Sequence, residues 1–354
     1  MVFCTYFDSN YLDKGLVMYR SLRKHTPEVV LYILPMDEKC LEVLNGEQDP
    51  KITIVDPEVF LDKTGLREIR KERRRAEFYW TCTSYLIDYV LTEYGEKECT
   101  YVDADLRFYS DPGCLTAEMK EKNVQIVRHG FDRTPMGLVC KATSGTYCVQ
   151  FNTFRNEESS LQLLRWWEKQ CFDSCSNGNM EENGVFGDQG YLETWGEKEN
   201  VSVLENPGAG VAPWNAYQYK VIDADVENDR ILLKKKGIAE SFSLVFYHFH
   251  NIAYYSAHKV DICAYQYGEV DPEIVRRIYL PYLKELDDTK IELREKYGVY
   301  PLLESHPGKG GSEEKKSILQ HIFSIDRLFF PKLYLSTVGR IKAGKRTGKN
   351  IIEF

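Results

Sequence analysis

The chain has 354 residues, of which 43% are apolar and 28% charged, values typical of a folded globular protein. They exclude a collagen-like, coiled-coil or disordered chain, and no run of about 18 uncharged apolar residues predicts a membrane-spanning helix. The N-terminus has no basic flank before its apolar residues, so we expect no secretory signal, a cytoplasmic location and reduced cysteines.

Charge is distributed unevenly along the chain. Residues 327–354 contain seven Lys or Arg residues and one acid, and they leave a net charge of −14 on residues 1–326 out of a total of −8. This distribution argues against a nucleic-acid-binding protein, which is expected to carry basic residues on its folded face. Apolar residues of 318–335 recur at helical spacing beside the basic ones. The pattern fits a helix lying on the anionic inner face of a membrane, and equally a terminal helix packed on the body.

Strand-like and helix-like segments alternate over the first 130 residues. This alternation predicts an α/β fold with a mostly parallel sheet flanked by helices, in which ligands bind beyond the carboxyl ends of the strands. In chain order the predicted elements are the strand Val2–Phe7, the helix Leu12–Lys24, the strands Val29–Leu34 and Ile52–Val55, the helix Glu72–Tyr94, the strands Cys99–Val102, Val124–Val127 and Tyr147–Phe154, the helix Leu161–Phe172, a hairpin over Val221–Leu233, the strand Leu244–His248, and the helix Pro272–Tyr297, broken near Pro281.

Neither of the common phosphate-binding loops is present in the sequence. There is no GxxxxGK[ST] motif, and Gly208-Ala-Gly210 leads to a proline rather than from a strand into a helix. A bound diphosphate would therefore need a divalent cation held by carboxylates. Asp103 and Asp105 are the candidates, because both follow a buried strand and project on the same side. The alternative for them is a helix cap or an ion pair, and we interpret a second Asp-Ala-Asp copy, at 223–225, as a solvated hairpin.

Two histidines supply a candidate third ligand. His248 and His250 follow the last predicted strand and alternate onto one face. A lone histidine at a strand end is more often structural than a ligand, but two on one face favour a functional role. Imidazole suits Mn²⁺ better than Mg²⁺. We therefore predict a Mn²⁺ site, with Mg²⁺ as the alternative ion.

Four segments in this order, FDSNY, VDAD, GDQGYL and HFHN, resemble glycosyltransferases of the GT-A fold. The likeness is closest to the retaining galactosyl- and glucosyltransferases of family 8, which include bacterial lipopolysaccharide glycosyltransferases and glycogenin. It covers roughly residues 1–250 and extends to the basic, aromatic C-terminus, which attaches bacterial members to the membrane. The Gly-rich, charged composition of 305–315 predicts a linker, which separates a helical, basic segment at 316–354 from the rest of the chain. The resemblance implies that 1–304 is a Rossmann-like catalytic domain, with a nucleotide-binding half at 1–130 and an acceptor-side half at 131–304.

The resemblance implies a hexosyltransferase that uses a metal-bound UDP-sugar as donor. The acceptor would be a hydroxyl of a glycan or lipid-linked glycan, in bacterial cell-surface polysaccharide assembly. Asp103, Asp105 and His248 would hold the metal, with His250 as the alternative to His248.

Further roles follow from the same resemblance. Asp188 and Gln189 would contact the donor sugar beside the anomeric carbon and act in catalysis. The residues expected to bind the nucleotide sugar are Thr5, Tyr6, Asp8, Asn10, Tyr11, Asp103, Ala104, Gln150 and Asn152.

The chain departs from the family pattern at two places. The donor-binding arginine near the start of the family's long helix is absent from Tyr79–Cys82, and either Arg74 or Arg75 replaces it or both lie on a solvated helix face. The lysine of the family's His-x-x-Gly-x-x-Lys-Pro-Trp motif is missing after His248.

The residues leave the stereochemistry open. For inversion, Asp188 is the candidate base, with Glu181 and Glu182 behind it. For retention, which the resemblance favours, Gln189 would lie at the back face and the leaving phosphate could take the proton. The alternative for Asp188 is a helix N-cap. The polar loop at 176–187 either closes over the donor or is a plain surface loop.

Two other classes compete with this interpretation. A sugar-1-phosphate nucleotidyltransferase shares the α/β sheet, but it needs a Gly-rich triphosphate loop near the N-terminus, and TYFDSNYLDKG has none. A non-catalytic carbohydrate- or lipid-binding protein would keep the aromatic residues and the basic tail without needing Asp103 and Asp105.

Overall fold

A computed structural model describes residues 1–176, 185–256, 258–301 and 350–354 of the chain. Its strands are β1 (Val2–Phe7), β2 (Val30–Pro35), β3 (Ile52–Ile54), β4 (Glu98–Val102), β5 (Leu106–Phe108), β6 (Val124–Arg128), β7 (Tyr147–Arg155), β8 (Val201–Val203), β9 (Tyr219–Asp225), β10 (Arg230–Lys235), β11 (Ser241–Ser243), β12 (Phe246–His248), β13 (Ala253–Ser256), β14 (Lys259–Asp261) and β15 (Ile351–Glu353).

The α-helices are α1 (Leu12–His25), α2 (Glu38–Glu47), α3 (Pro57–Thr64), α4 (Arg67–Glu72), α5 (Arg75–Glu93), α6 (Gly113–Thr116), α7 (Pro135–Ser144), α8 (Glu158–Asp173), α9 (Pro272–Ile274) and α10 (Leu280–Tyr297). A π-helical turn, Val275–Tyr279, joins α9 to α10. The 3₁₀ helices are Ser9–Tyr11, Ala117–Met119, Gln189–Glu197 and Ala216–Gln218.

A central sheet of seven strands, counted over the described residues, has the order β3-β2-β1-β4-β7-β6-β8. β7 is antiparallel to both β4 and β6, and the other neighbouring pairs are parallel. The strands are largely buried, because helices cover both faces of the sheet. The predicted α/β fold with a mostly parallel sheet is confirmed.

Each face of the sheet has its own apolar core. One core contains residues of α5 and α8 and includes Trp167 and Trp195, whose rings are 5.5 Å apart. The other contains residues of α1 and α2 together with Phe151 and Phe246, whose rings stack at 5.4 Å. The two cores fix the sheet from both sides, and with it the edge where β1 and β4 end.

The long helix predicted over Glu72–Tyr94 is divided in the structure. α4 ends at Glu72, and α5 begins at Arg75 because Arg73 and Arg74 are extended. The backbone amide of Arg74 donates to the Glu77 carboxylate at 3.3 Å, which defines the new start. The predicted break near Pro281 is a π turn that precedes this proline, which has no N–H to donate to the preceding turn.

A second layer of structure connects the C-terminal half to the edge of the sheet. β5 pairs antiparallel with β12, which places His248 opposite Leu106. Arg107, in the middle of β5, is buried and donates to Asp229 at 2.8 Å and to Glu285 of α10 at 2.6 Å. This ionic network ties β5, the β9–β10 hairpin and α10 together.

Several predicted features lie outside the described residues. They are the linker at 305–315, the basic segment as far as residue 349, and Glu181 and Glu182 of the predicted loop. The last residues of the basic segment are described: β15 pairs with β14 and so belongs to the body. Among the residues described, no helix combines the length and apolar character needed to cross a membrane.

Candidate functional site

Asp103 and Asp105 lie at the carboxyl edge of the central sheet. β4 ends at Val102, and the chain then turns back through these aspartates into β5. Because β5 pairs with β12, His248 reaches both carboxylates. Its Nε2 atom is 3.0 Å from Asp105 Oδ1 and 3.7 Å from Asp103 Oδ2. The structure thus brings together the residues that the sequence predicts as metal ligands.

Contacts on the side of the His248 ring away from the carboxylates fix its orientation. Its Nδ1 donates to the amide oxygen of Gln150 at 2.8 Å, so Nε2 faces the carboxylates. Trp214 packs edge-on against the rings of His248 and His250, at 5.1 and 5.6 Å. These contacts hold both imidazoles in place.

His250 lies in the same cluster. Ligand atoms of Asp105, His248 and His250 are all within 4.8 Å of one another, and over the described part of the chain this is the one such group of three. Carboxylate oxygens and imidazole nitrogens suit Mn²⁺ or a related divalent ion. The donor set therefore fits a divalent cation, and both predicted histidine alternatives are close enough to take part.

Burial and mutual charge set the ionisation of the cluster. Burial raises the pKa of Asp103 to about 7, with His248 opposing and Asp105 adding to the rise. Burial acts most strongly on Asp105 and raises its pKa, but the charge and hydrogen bond of His248, together with the charges of Lys14 and His250, hold the pKa of Asp105 well below its usual range. The pKa of His248 is raised by Asp105 against the effect of burial. Burial and neighbouring His248 lower the pKa of His250 to about 4, so its ring is neutral at pH 7. The His248 ring thus lies between two carboxylates, a position whose negative charge suits a bound cation.

Asp8 forms the centre of a second polar cluster, at the end of β1. Its carboxylate accepts from the Tyr79 hydroxyl at 3.0 Å and from the backbone amide of Asn10 at 3.0 Å. Arg75 lies 3.3 Å away with a mostly exposed side chain. Tyr6 lies beside these residues, with its ring 6.0 Å from that of Tyr79. Of the two arginines considered as replacements for the missing donor-binding one, Arg75 is the one paired with the predicted nucleotide-binding Asp8.

Asp188 is buried close to Asp103, near the carboxyl edge of the central sheet. Trp167 Nε1 donates to its backbone carbonyl at 2.9 Å, which fixes the main chain. Burial raises the pKa of the Asp188 carboxyl to about 7, and a hydrogen bond with the Thr83 hydroxyl limits the rise. A 3₁₀ helix follows Asp188. Gln189 donates from Nε2 to the backbone carbonyl of Ser144 at 2.7 Å.

Other predicted contact residues lie deeper. Thr5, Gln150 and Asn152 are fully buried, and Thr5 Oγ1, Gln150 Nε2 and both side-chain polar atoms of Asn152 have no hydrogen-bond partner among the described residues. Ala104 is buried between the two aspartates, whereas Asn10 and Tyr11 are partly exposed. The unpartnered groups beneath the site are polar atoms that a ligand or water would satisfy.

Sequence reasoning missed Lys14, which is 1% exposed. Its ammonium lies 4.0 Å from the centre of the Tyr11 ring, and its charge contributes to lowering the pKa of Asp105. In the sequence, Asp13 and Lys14 form a charged pair near the start of α1, next to the apolar residues Leu12 and Leu16. Tyr79 and Thr83 were also missed, because no spacing pattern links α5 to the end of β1 and to Asp188.

The second Asp-Ala-Asp copy lies far from such a cluster. Asp223 is exposed on β9, and Arg230 lies 3.9 Å from it across the hairpin. Asp225 accepts from the Asn228 side chain at 2.9 Å. No histidine of the described residues is paired with either carboxylate, as the solvated interpretation expects.

Comparison with known sequences finds similar proteins in Bacillus subtilis. No protein-family model matches the chain. It is 29% identical over 254 residues to the uncharacterized protein YfnF of Bacillus subtilis (strain 168), covering 70% of this chain and 80% of YfnF. It is 26% identical over 286 residues to the uncharacterized protein YfnD of the same strain, covering 80% of this chain and 88% of YfnD.

Among solved structures, the galactosyltransferase LgtC in complex with donor and acceptor sugar analogs aligns with a TM-score of 0.50 and 14% identity. The alignment covers 84% of this chain and 100% of that chain. The chain has the GT-A fold. The resemblance to glycosyltransferases of this fold is thereby confirmed at the level of architecture, and the activity has to be argued from the site.

Proposed function

We propose that the protein is a metal-dependent glycosyltransferase that moves a hexose from a UDP-sugar to a hydroxyl of a glycan or glycolipid. The main support for the proposal is that Asp103, Asp105 and His248 lie within contact distance of one another at the carboxyl edge of a GT-A sheet. LgtC, which shares the fold, was solved with donor and acceptor sugar analogs. We assign the nucleotide sugar of this protein to the carboxyl edge of its sheet, beside Asp103 and Asp105.

In this proposal the nucleotide occupies the cluster around Asp8. Tyr6 and Tyr79 supply aromatic surface, and the hydrogen bonds of Tyr79 and Asn10 hold the Asp8 carboxylate in one orientation. Arg75, exposed at 3.3 Å from Asp8, supplies a positive charge that can turn toward the diphosphate. It takes the place of the arginine that the family carries further along the helix.

Asp103, Asp105 and His248 would hold the divalent cation, with His250 as the alternative to His248. A bound cation supplies charge neutralisation and Lewis-acid stabilisation of the leaving diphosphate. Gln150 orients the His248 ring, and Tyr101 donates to Asp103 at 2.9 Å. These hydrogen bonds fix the donor atoms before a ligand arrives, which reduces the cost of organising the site.

Asp188 and Gln189 are proposed to lie beside the anomeric carbon of the donor sugar. A carboxyl with a pKa of about 7 exchanges a proton close to neutral pH, which is the property required of a general acid or base. Gln189 is held by Ser144 and is not basic, which suits a contact to the back face of the sugar. The family resemblance favours retention of configuration.

We further propose that the enzyme works in bacterial cell-surface polysaccharide assembly, on the cytoplasmic side of the membrane. The support is the basic, apolar sequence of 316–349, which would bind anionic lipid headgroups. Sedimentation with phosphatidylglycerol vesicles tests this proposal. An unchanged bound fraction after replacing 316–349 by a neutral linker would disprove it.

Calorimetric titration of UDP, with and without Mn²⁺, tests the donor site. Binding should require the metal in the wild type and disappear in Asp103→Ala/Asp105→Ala. The matched control is Asp223→Ala/Asp225→Ala, which removes the same motif from the exposed hairpin and should bind as the wild type does. A nucleotide-sugar hydrolysis screen would then identify the sugar.

Other outcomes point to the competing classes. If neither UDP nor another nucleotide binds in either condition, the protein is a non-catalytic carbohydrate- or lipid-binding protein. Release of pyrophosphate from a nucleoside triphosphate and a sugar 1-phosphate would instead identify a nucleotidyltransferase.

A further inference from the structure

A surface groove of about 960 Å³ lies between α8, the 3₁₀ helix Gln189–Glu197 and the residues that precede β6 and β8. α8 contributes Ser159, Gln162, Leu163 and Trp166. Their spacing of three, four and seven residues from the first places all four on one helix face, so they form a continuous wall.

Trp166 is the prominent apolar group of this wall. Its side chain is 42% exposed, although tryptophan is usually well covered. The ring is supported edge-on by Tyr191 at 6.2 Å and lies 6.3 Å from Trp195. An indole supported in this way presents a flat surface and loses little conformational freedom when a ligand covers it.

The groove carries no net charge. Glu121 and Glu199 are balanced by Lys122 and Lys198. The Lys122 ammonium donates to the backbone carbonyl of Glu199, so the charges are interspersed rather than separated into patches. Because the charges cancel, the groove offers no net electrostatic attraction to an anionic polymer or a phosphorylated ligand, and it does not repel a neutral ligand.

The remaining lining groups are amides and hydroxyls. Gln162 and Asn200 carry amides, and Ser159 and Thr194 carry hydroxyls. Such groups both donate and accept hydrogen bonds, as the hydroxyls of a sugar do. A flat aromatic surface next to neutral donors and acceptors matches a pyranose ring, which has an apolar C–H face and a rim of hydroxyls.

The groove is separate from the carboxylate–histidine cluster. β6 and β8 run parallel to β4, and the groove lies at their amino ends, whereas Asp103 follows the carboxyl end of β4. The two places are therefore on opposite edges of the sheet. None of the aspartates and histidines of that cluster lines the groove.

We propose that this groove is a second saccharide-binding site, which holds neutral sugar units of a glycan away from the reaction centre. Trp166 stacks against a sugar ring, and Gln162, Thr194 and Asn200 bind its hydroxyls. In an enzyme that acts on a polymeric glycan, such a site raises the local concentration of the acceptor. The binding itself does not depend on the proposed transferase activity.

The test is binding of the full chain to an array of immobilised neutral and acidic oligosaccharides, including hexose, N-acetylhexosamine and deoxyhexose chains. The wild type should bind at least one neutral class. Trp166→Ala should weaken that binding by about tenfold or more, the effect expected from truncating a central aromatic anchor. Leu138→Ala is the matched control, because Leu138 is an exposed apolar residue (49%) outside the groove, and it should bind as the wild type does.

Three outcomes would overturn the proposal: no binding to any neutral class, binding to acidic chains alone, or equal binding by Trp166→Ala. Circular dichroism shows whether Trp166→Ala is folded, and Trp166→Phe, which keeps a ring, should recover part of the affinity. Asp103→Ala/Asp105→Ala should keep glycan binding. This variant separates failure of the groove from failure of the donor site.

Discussion

Replacing Asp188 by asparagine tests the burial of this carboxyl group. Asp188 is 5% exposed, and its pKa is raised from 3.8 to about 7, chiefly by burial. A raised pKa means that the folded protein binds the proton more tightly than the unfolded chain does. The folded state therefore loses stability as the pH rises above 3.8, and the loss is complete above pH 7.

The size of the loss follows from the two pKa values. It amounts to about 1.5 kcal/mol at pH 5 and about 4 kcal/mol at pH 8.5, at 1.36 kcal/mol per unit. Asparagine has a similar shape, accepts the Thr83 hydrogen bond and does not ionise. Asp188→Asn should therefore stabilise the protein by about 2.5 kcal/mol more at pH 8.5 than at pH 5.

Urea unfolding in the presence of a chelator, at both pH values, measures the difference. Asp223→Asn, on the exposed hairpin, is the control and should change the free energy of unfolding equally at the two pH values. If Asp188→Asn gives the same change at pH 5 and pH 8.5, or destabilises more at pH 8.5, the carboxyl is ionised without cost and the reasoning is refuted.

Four further substitutions test the site and its support. His248→Ala should abolish Mn²⁺-dependent UDP binding in calorimetry, because it removes the ring that lies between both carboxylates, whereas His250→Ala should leave measurable affinity. Arg107→Met should lower the free energy of unfolding in urea by about 3 kcal/mol, since it removes the buried cation that Asp229 shares with Glu285 and leaves Asp229 with Lys24 and His25 at the surface. Gly208→Ala should lower the urea midpoint and cost about 1–3 kcal/mol. The added Cβ would lie 2.2 Å from the backbone oxygen of Ser243.

These predictions have their own controls. Arg230→Met removes an exposed arginine from the hairpin and should leave the free energy of unfolding nearly unchanged. Stability of Arg107→Met equal to that of Arg230→Met would contradict the role of the buried network. If His250→Ala loses UDP binding and His248→Ala retains it, His250 is the ligand.

The sequence predicts the strands that form the centre of the fold. β1, β2 and β4 are short, largely apolar runs, and such runs are readable because both of their faces are buried. β7 is readable from its apolar residues although it also contains Gln150 and Asn152. β5 was not predicted, because three residues are too few to show a period and its place is set by pairing with β12. α7 was not predicted either, since its Pro, Gly and Ser residues are typical of a loop.

Some residues of the candidate site could be predicted from the sequence and others could not. Asp103 and Asp105 could be predicted because they follow a recognisable strand, and parallel strands end at a common edge. The contact between Tyr79 and Asp8 joins residues 71 positions apart and depends on how α5 packs on the sheet. No local pattern encodes that packing, nor the burial that raises the pKa of Asp188.

The pairing of β15 with β14 attaches the C-terminal end of the basic segment to the body of the protein. The chain is anchored to the body up to residue 301 and again from residue 350, so the segment between them is attached at two points rather than one. A two-point attachment limits how far the segment reaches and brings the body close to any surface that it binds. If that surface is a membrane, the protein would bind it in a restricted orientation, because two attachment points limit its rotation more than one would. Truncation from residue 312 onward would also remove a strand of the body, and only an internal replacement separates the two effects.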